Sequence, residues 1–180
     1  MSASEHKSLP SIGFLTVVDL SEVGLLGGFL AVNPAGRPLE FHCTTPVRAT
    51  RAQEILYGNA LEPFLCGELI GQALLDKATS KPNLVLTDQM PLLSVREFCQ
   101  TPVVCVSDKQ EKPELKTFRL DGAHGVAPSK VFALGQYQAS LPTDYAGDLE
   151  AVNRVWGSFS GLDVFEPFQR IREAIQETQA

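Results

Sequence analysis

The run Ile12-Gly13-Phe14-Leu15-Thr16-Val17-Val18-Asp19 is apolar on both faces that a strand would present, and it ends on a carboxylate. A strand with apolar side chains on both faces is covered on both, which places it centrally in a sheet with helices on either side. A second run, Leu84-Val85-Leu86-Thr87-Asp88, repeats the pattern, and Glu68 falls in the first turns of the apolar stretch between them. Carboxylates at the ends of buried elements are costly to desolvate and need a counterpart. Either Asp19, Glu68 and Asp88 share a cation or each pairs with something basic.

The element order comes from hydrophobic periodicity and turn signals. Residues 12–20 read as a first strand and 25–33 as a second, loosened by Gly27-Gly28. Asn33-Pro34-Ala35-Gly36 is a turn, with Pro presetting φ and Gly permitting a positive φ. Residues 37–44 alternate as a third strand, with Leu39, Phe41 and Cys43 expected inward and Glu40, His42 and Thr44 outward. A connection over 46–60 holds a short helix near 49–56, and 62–78 is a longer helix with Pro63 in its first turn. Gly67 and Gly71, one turn apart, imply close packing on a sheet or a neighbouring helix. A helical wheel places Glu68 beside Phe64, Gly71 and Leu75, at the edge of the core-facing side. A fourth strand over 84–87, a short helix over 92–99 and a fifth strand over 103–106 follow. Beyond them come a charged loop over 107–118, a hairpin around Asp121-Gly122-Ala123-His124-Gly125 and a closing helix over 166–178.

At 180 residues and 44% hydrophobic, the chain suits one domain with a substantial core. The expected division is a flexible stretch over 1–11 and a single domain over 12–180, with its core at 12–106 and an extension at 107–180. Net charge of -6 and the lack of any Lys or Arg run argue against a dedicated nucleic-acid binder, without excluding a local basic rim. Cys43, Cys66, Cys99 and Cys105 have no CxxC spacing and read as small buried thiols in a reducing compartment. No apolar stretch reaches membrane-spanning length and the first residues lack a signal core, so a cytoplasmic protein with no membrane partner is expected.

Three antiparallel strands, then helix, strand, helix and strand, resemble the ribonuclease H-like fold, a mixed α/β sheet of order 3-2-1-4-5 flanked by helices. Within it, three pieces resemble endonuclease V: Val18-Asp19-Leu20-Ser21, the segment from Tyr57 to Glu68 containing Phe64-Leu65-Cys66-Gly67-Glu68, and Pro82-Asn83-Leu84-Val85-Leu86-Thr87-Asp88. The resemblance covers roughly residues 12–106 and rests on order and spacing more than identity. It implies that Asp19 and Asp88 face each other across one strand spacing, with Glu68 laid over the same point. It further implies magnesium or manganese held by Asp19, Glu68 and Asp88, two such ions cleaving a phosphodiester with Asp19 bridging them. The chain departs from that family in three places. Gln89-Met90-Pro91 replaces the glycine-rich segment, Tyr57-Gly58-Asn59 lacks the Ile-Pro-Gly of the DNA wedge, and only His124, Asp144 and Asp148 offer a further ligand.

Two functions from different classes follow. One is a divalent-metal-dependent nuclease acting on nucleic acid, with catalytic and metal residues Asp19, Glu68 and Asp88 and substrate-binding residues Arg48, Arg51 and Tyr57. The other is a non-catalytic ribonuclease H-like module acting through a protein partner, in which Asp19 and Asp88 cap turns and Glu68 pairs with Arg48 or Arg51. Surface arginines in a connection are more often solvated. His42 reads as exposed, His124 as conformational, and Trp156 with Phe159, Phe165 and Phe168 as a C-terminal core cluster. No His stands in an interpretable relation to any cysteine, so no thiol nucleophile is expected.

Overall fold

The computed structural model describes residues 9–108 and 128–179. The charged loop, the hairpin around residues 121–125 and His124 lie outside the described residues, as does the chain before Leu9. Strands β1 (Ile12–Leu20), β2 (Gly24–Val32), β3 (Pro38–Cys43), β4 (Leu84–Thr87), β5 (Val103–Asp108), β6 (Ser129–Leu134) and β7 (Tyr137–Pro142) form one sheet. Its order is β3-β2-β1-β4-β5-β7-β6, so the expected five-strand order stands and is extended by an antiparallel hairpin. That hairpin turns at Gly135, whose φ is +59°. β1 pairs antiparallel with β2 and parallel with β4. The burial of β1 and β4 on both faces is what their unbroken apolar runs require.

Helices cover the two faces. α1 (Arg51–Tyr57) leads into α2, a continuous helix that begins at Leu61–Pro63, widens into π-turns over Phe64–Gln72 and closes at Ala73–Lys77. A 3-10 segment, Met90–Phe98, packs beside α2. α3 (Leu149–Trp156) and α4 (Glu166–Gln179) belong to the C-terminal part. Leu15, Val17 and Phe29 meet Ile70 and Leu74 of α2 on one face. Phe14, Leu30 and Leu86 meet Phe168, Ile171 and Ile175 of α4 on the other. The Phe14 and Phe168 rings pack edge to face with centroids 5.2 Å apart. Gly27 and Gly28 give these helices their close approach, since a Cβ at the first would strike Ile70 and at the second Ile171.

β3 reverses its expected exposure. Leu39 and Phe41 are 51% and 38% exposed, while Glu40 and His42 are partly buried. The cause is its position at the sheet edge, where the apolar face lies beyond the helical cover and the other face meets the chain after α2. Glu40 there accepts hydrogen bonds from the Thr79 backbone N–H at 2.7 Å and the Ser80 backbone N–H at 2.8 Å, and contacts His42. Burial alone would raise its pKa, but the hydrogen bonds from Ser80, Thr79 and His42 outweigh it and hold the carboxyl at about 2.

Candidate functional site

The crevice at the carboxyl ends of β1 and β4 is where a sheet of this order offers a ligand site, because the connections leave in opposite directions there. The parallel register pairs Leu15 with Thr87, so the β1 residue beside Asp88 is Thr16. Asp19 lies three residues further along β1, paired with Leu25 at the hairpin end and exposed. At about 3.3 Å per residue that is about 10 Å along the strand. Strand alternation adds a second separation. Thr16 and Asp88 are hydrogen-bonded on the α4 face, whereas Asp19 follows Leu15 and Val17 on the α2 face. The expected facing of Asp19 and Asp88 across one strand spacing is therefore replaced by a Thr16–Asp88 pair.

Glu68 is exposed, not at the core-facing edge where a regular wheel puts it. The reason is the π-helical stretch over Phe64–Gln72, whose wider turns shift every side chain relative to a regular helix. Gly67 permits that stretch to lie against the 3-10 segment, since a Cβ there would meet the Ser94 side chain. Ser94 Oγ in turn lies 3.1 Å from the Pro63 carbonyl oxygen, satisfying an acceptor at the start of the widened turns.

Asp88 has its own partners. Thr16 Oγ1 donates to Asp88 Oδ1 at 2.8 Å, and Arg172 Nη2 of α4 donates to Asp88 Oδ2. The same guanidinium nitrogen lies 3.4 Å from Thr16 Oγ1. On the other side of the crevice the Gln89 side chain spans the gap left where β4 ends. Its Oε1 accepts from the Val17 N–H at 2.9 Å, and its Nε2 donates to the Val17 carbonyl oxygen at 2.9 Å. One side-chain amide thus continues the parallel ladder for one more rung. Both groups that close the crevice, Gln89 and Arg172, were absent from the candidate residues. Gln89 was visible only as a departure from a glycine-rich pattern, and Arg172 only as a polar residue on a C-terminal amphipathic helix.

The remaining candidates are dispersed. Arg48 donates through Nε to the Val23 carbonyl oxygen at 2.9 Å and through Nη2 to that of Glu22, clamping the β1–β2 turn. Arg51 pairs with Glu54 at 3.0 Å within α1, so neither arginine holds Glu68. Tyr57 stacks on Phe64 with centroids 3.9 Å apart and planes 13° from parallel. Asp144 is exposed, and Asp148 is held at 2.8 Å by Arg96, whose guanidinium also lies 4.1 Å over the Tyr145 ring. Asp148 raises the pKa of Arg96 by accepting that hydrogen bond. All four cysteines are free, and burial pushes the thiols of Cys66 and Cys105 up to about 12, so neither is a nucleophile. Among the described residues no group of three or more His, Cys, Asp or Glu is placed to hold a metal. Magnesium or manganese requires several hard oxygen donors converging on one point. Among the described residues a single carboxylate, Asp88, reaches the crevice and it already touches a guanidinium, a donor set that does not fit such an ion.

No family model matches the chain, and no curated protein matches it at a significant level. Solved structures do. The catalytic domain of human endonuclease V aligns over 96% of this chain and 85% of its own, with 14% identity and a TM-score of 0.52. The fold is ribonuclease H-like. Another structure of human endonuclease V aligns over 97% of this chain and 87% of its own at 16% identity, TM-score 0.45. The Ciona intestinalis enzyme, in complex with a 24mer DNA containing an inosine followed by a ribo-adenosine, covers 81% of this chain and 78% of its own at 12% identity, TM-score 0.37. At these identities the likeness is one of fold. No helix among the described residues is long and apolar enough to cross a membrane.

Proposed function

We propose that this chain is a non-catalytic ribonuclease H-like module that acts through protein contacts. The observation that carries it is the crevice between β1 and β4, filled from one side by Gln89 on the Val17 backbone and from the other by Thr16, Asp88 and Arg172. A guanidinium in contact with a carboxylate neutralises the charge that a divalent ion would otherwise be needed to neutralise. The outer helical layer is consistent with contact work. α1 buries none of its residues, and Ile55 and Leu56 on it are 66% and 81% exposed. Seven-residue helices are marginal in isolation. This one is held by a capping box in which Gln53 N–H donates to Thr50 Oγ1 at 3.1 Å and Thr50 N–H donates to Gln53 Oε1 at 2.9 Å.

The second reading is a magnesium- or manganese-dependent nuclease cleaving phosphodiesters through Asp19, Glu68 and Asp88. It is favoured by the fold shared with the endonuclease V catalytic domain, and by Asp88 standing at the carboxyl end of β4. Thermal melts with and without manganese, on wild type, Asp19→Asn and Asp88→Asn, separate the two. The non-catalytic reading expects no manganese shift in any of the three and no cleavage of single- or double-stranded DNA or RNA. A manganese shift that Asp88→Asn abolishes, together with cleavage, would establish the nuclease instead.

A further inference from the structure

The corner between α1, α2 and the 3-10 segment encloses a groove of about 190 Å³ that the closed crevice does not involve. Tyr57, Phe64, Met90 and Phe98 give it apolar and aromatic walls, and Glu68 and Glu97 are its charged lining residues. Tyr57 and Phe98 are each 38% exposed, and both glutamates are exposed. Neither glutamate has an ion-pair partner among the described residues. Ligand pockets for small molecules usually measure roughly 300–1,000 Å³, so this groove has the scale of one side chain rather than of a cofactor.

From this lining we infer that the groove is a docking site for an arginine side chain presented by a protein partner. The inference rests on the non-catalytic reading above and gives its partner a chemistry. A stacked tyrosine–phenylalanine pair offers a flat π face that attracts a cation, and a guanidinium is the planar, weakly hydrated cation that matches it. Two unpaired carboxylates beside that face supply acceptors for its N–H fork. The exposed Ile55 and Leu56 on α1 call for apolar residues flanking the arginine. Charge decides against a nucleic acid at the same place, because the lining contains two carboxylates and no basic group, on a chain of net charge -6.

The test is NMR titration of the whole protein with acetyl-Leu-Arg-Leu-amide. The controls are the same peptide carrying neutral citrulline for arginine, and a short single-stranded oligonucleotide. The arginine peptide is expected to shift resonances of Tyr57, Phe64, Glu68 and Glu97 with millimolar affinity, and the citrulline peptide to bind about fivefold more weakly. The Glu68→Gln, Glu97→Gln double variant should erase that preference, and Tyr57→Leu should weaken both peptides. Three results would overturn the proposal: no localised shift up to roughly 10 mM peptide, equal affinity for citrulline, or shifts at these residues from the oligonucleotide in place of the peptide. Lack of peptide binding with manganese still inert removes only the arginine partner, whereas a manganese-dependent melt removes the non-catalytic reading itself.

Discussion

The crevice between β1 and β4 and the groove beside Tyr57 lie within one fold and have opposite character. In the crevice the chain itself supplies partners: Gln89 to the Val17 backbone, and Thr16 and Arg172 to Asp88. In the groove Tyr57 and Phe98 are partly exposed, and the carboxylates of Glu68 and Glu97 are left to solvent. Closure of this kind stabilises a domain, and an unpartnered surface costs little until something covers it. On the proposed reading, the contrast gives structural work to the crevice and recognition to the helical layer outside it.

The largest effect that sharpens this contrast is expected at Gln89. Gln89→Leu strips both partners from the Val17 backbone at a part-buried position and should cost about 2–3 kcal/mol in a denaturant melt. A neutral result would mean that water fills the gap freely and that the crevice is open. Next comes the edge-strand cluster at Glu40, a closed region outside the crevice. Its folded pKa of about 2 lies below the ordinary 4.5, so its contribution is present above pH 4.5 and disappears as pH falls toward 2. Glu40→Gln should therefore cost about 2 kcal/mol at neutral pH, with the gap to wild type closing below pH 4.5, as pH-dependent melts would reveal. Smallest is the groove side, where Leu56→Ser on the unburied face of α1 should change stability by no more than about 0.5 kcal/mol. A loss several times larger would show that α1 is part of the core after all.

How much of this was legible in the sequence follows from which signals are local. Both-face apolar runs at 12–19 and 84–87 placed these strands centrally, and the structure pairs them parallel. The strand order as far as β5 came from the resemblance of the element order to the ribonuclease H-like fold. The β6–β7 hairpin went unread because its turn at Gly135-Gln136 carries a weak local signature. The site was harder. Whether Asp19 or Thr16 lies beside Asp88 depends on the register of two strands far apart in sequence, to which their apolar patterns are indifferent. The position of Glu68 depends on π-turns that no period of 3.6 anticipates. Arg172 reaches Asp88 across 84 residues, through the docking angle of α4.

The most direct measurement is of amide line widths in the protein during titration with manganese, whose paramagnetism broadens any nucleus near a bound ion. The closed crevice predicts no selective broadening at Thr16, Val17, Asp19, Asp88 or Gln89 as manganese rises to millimolar levels. Broadening concentrated at those residues, and lost in Asp88→Asn, would show that a cation displaces Arg172 there and would contradict the account.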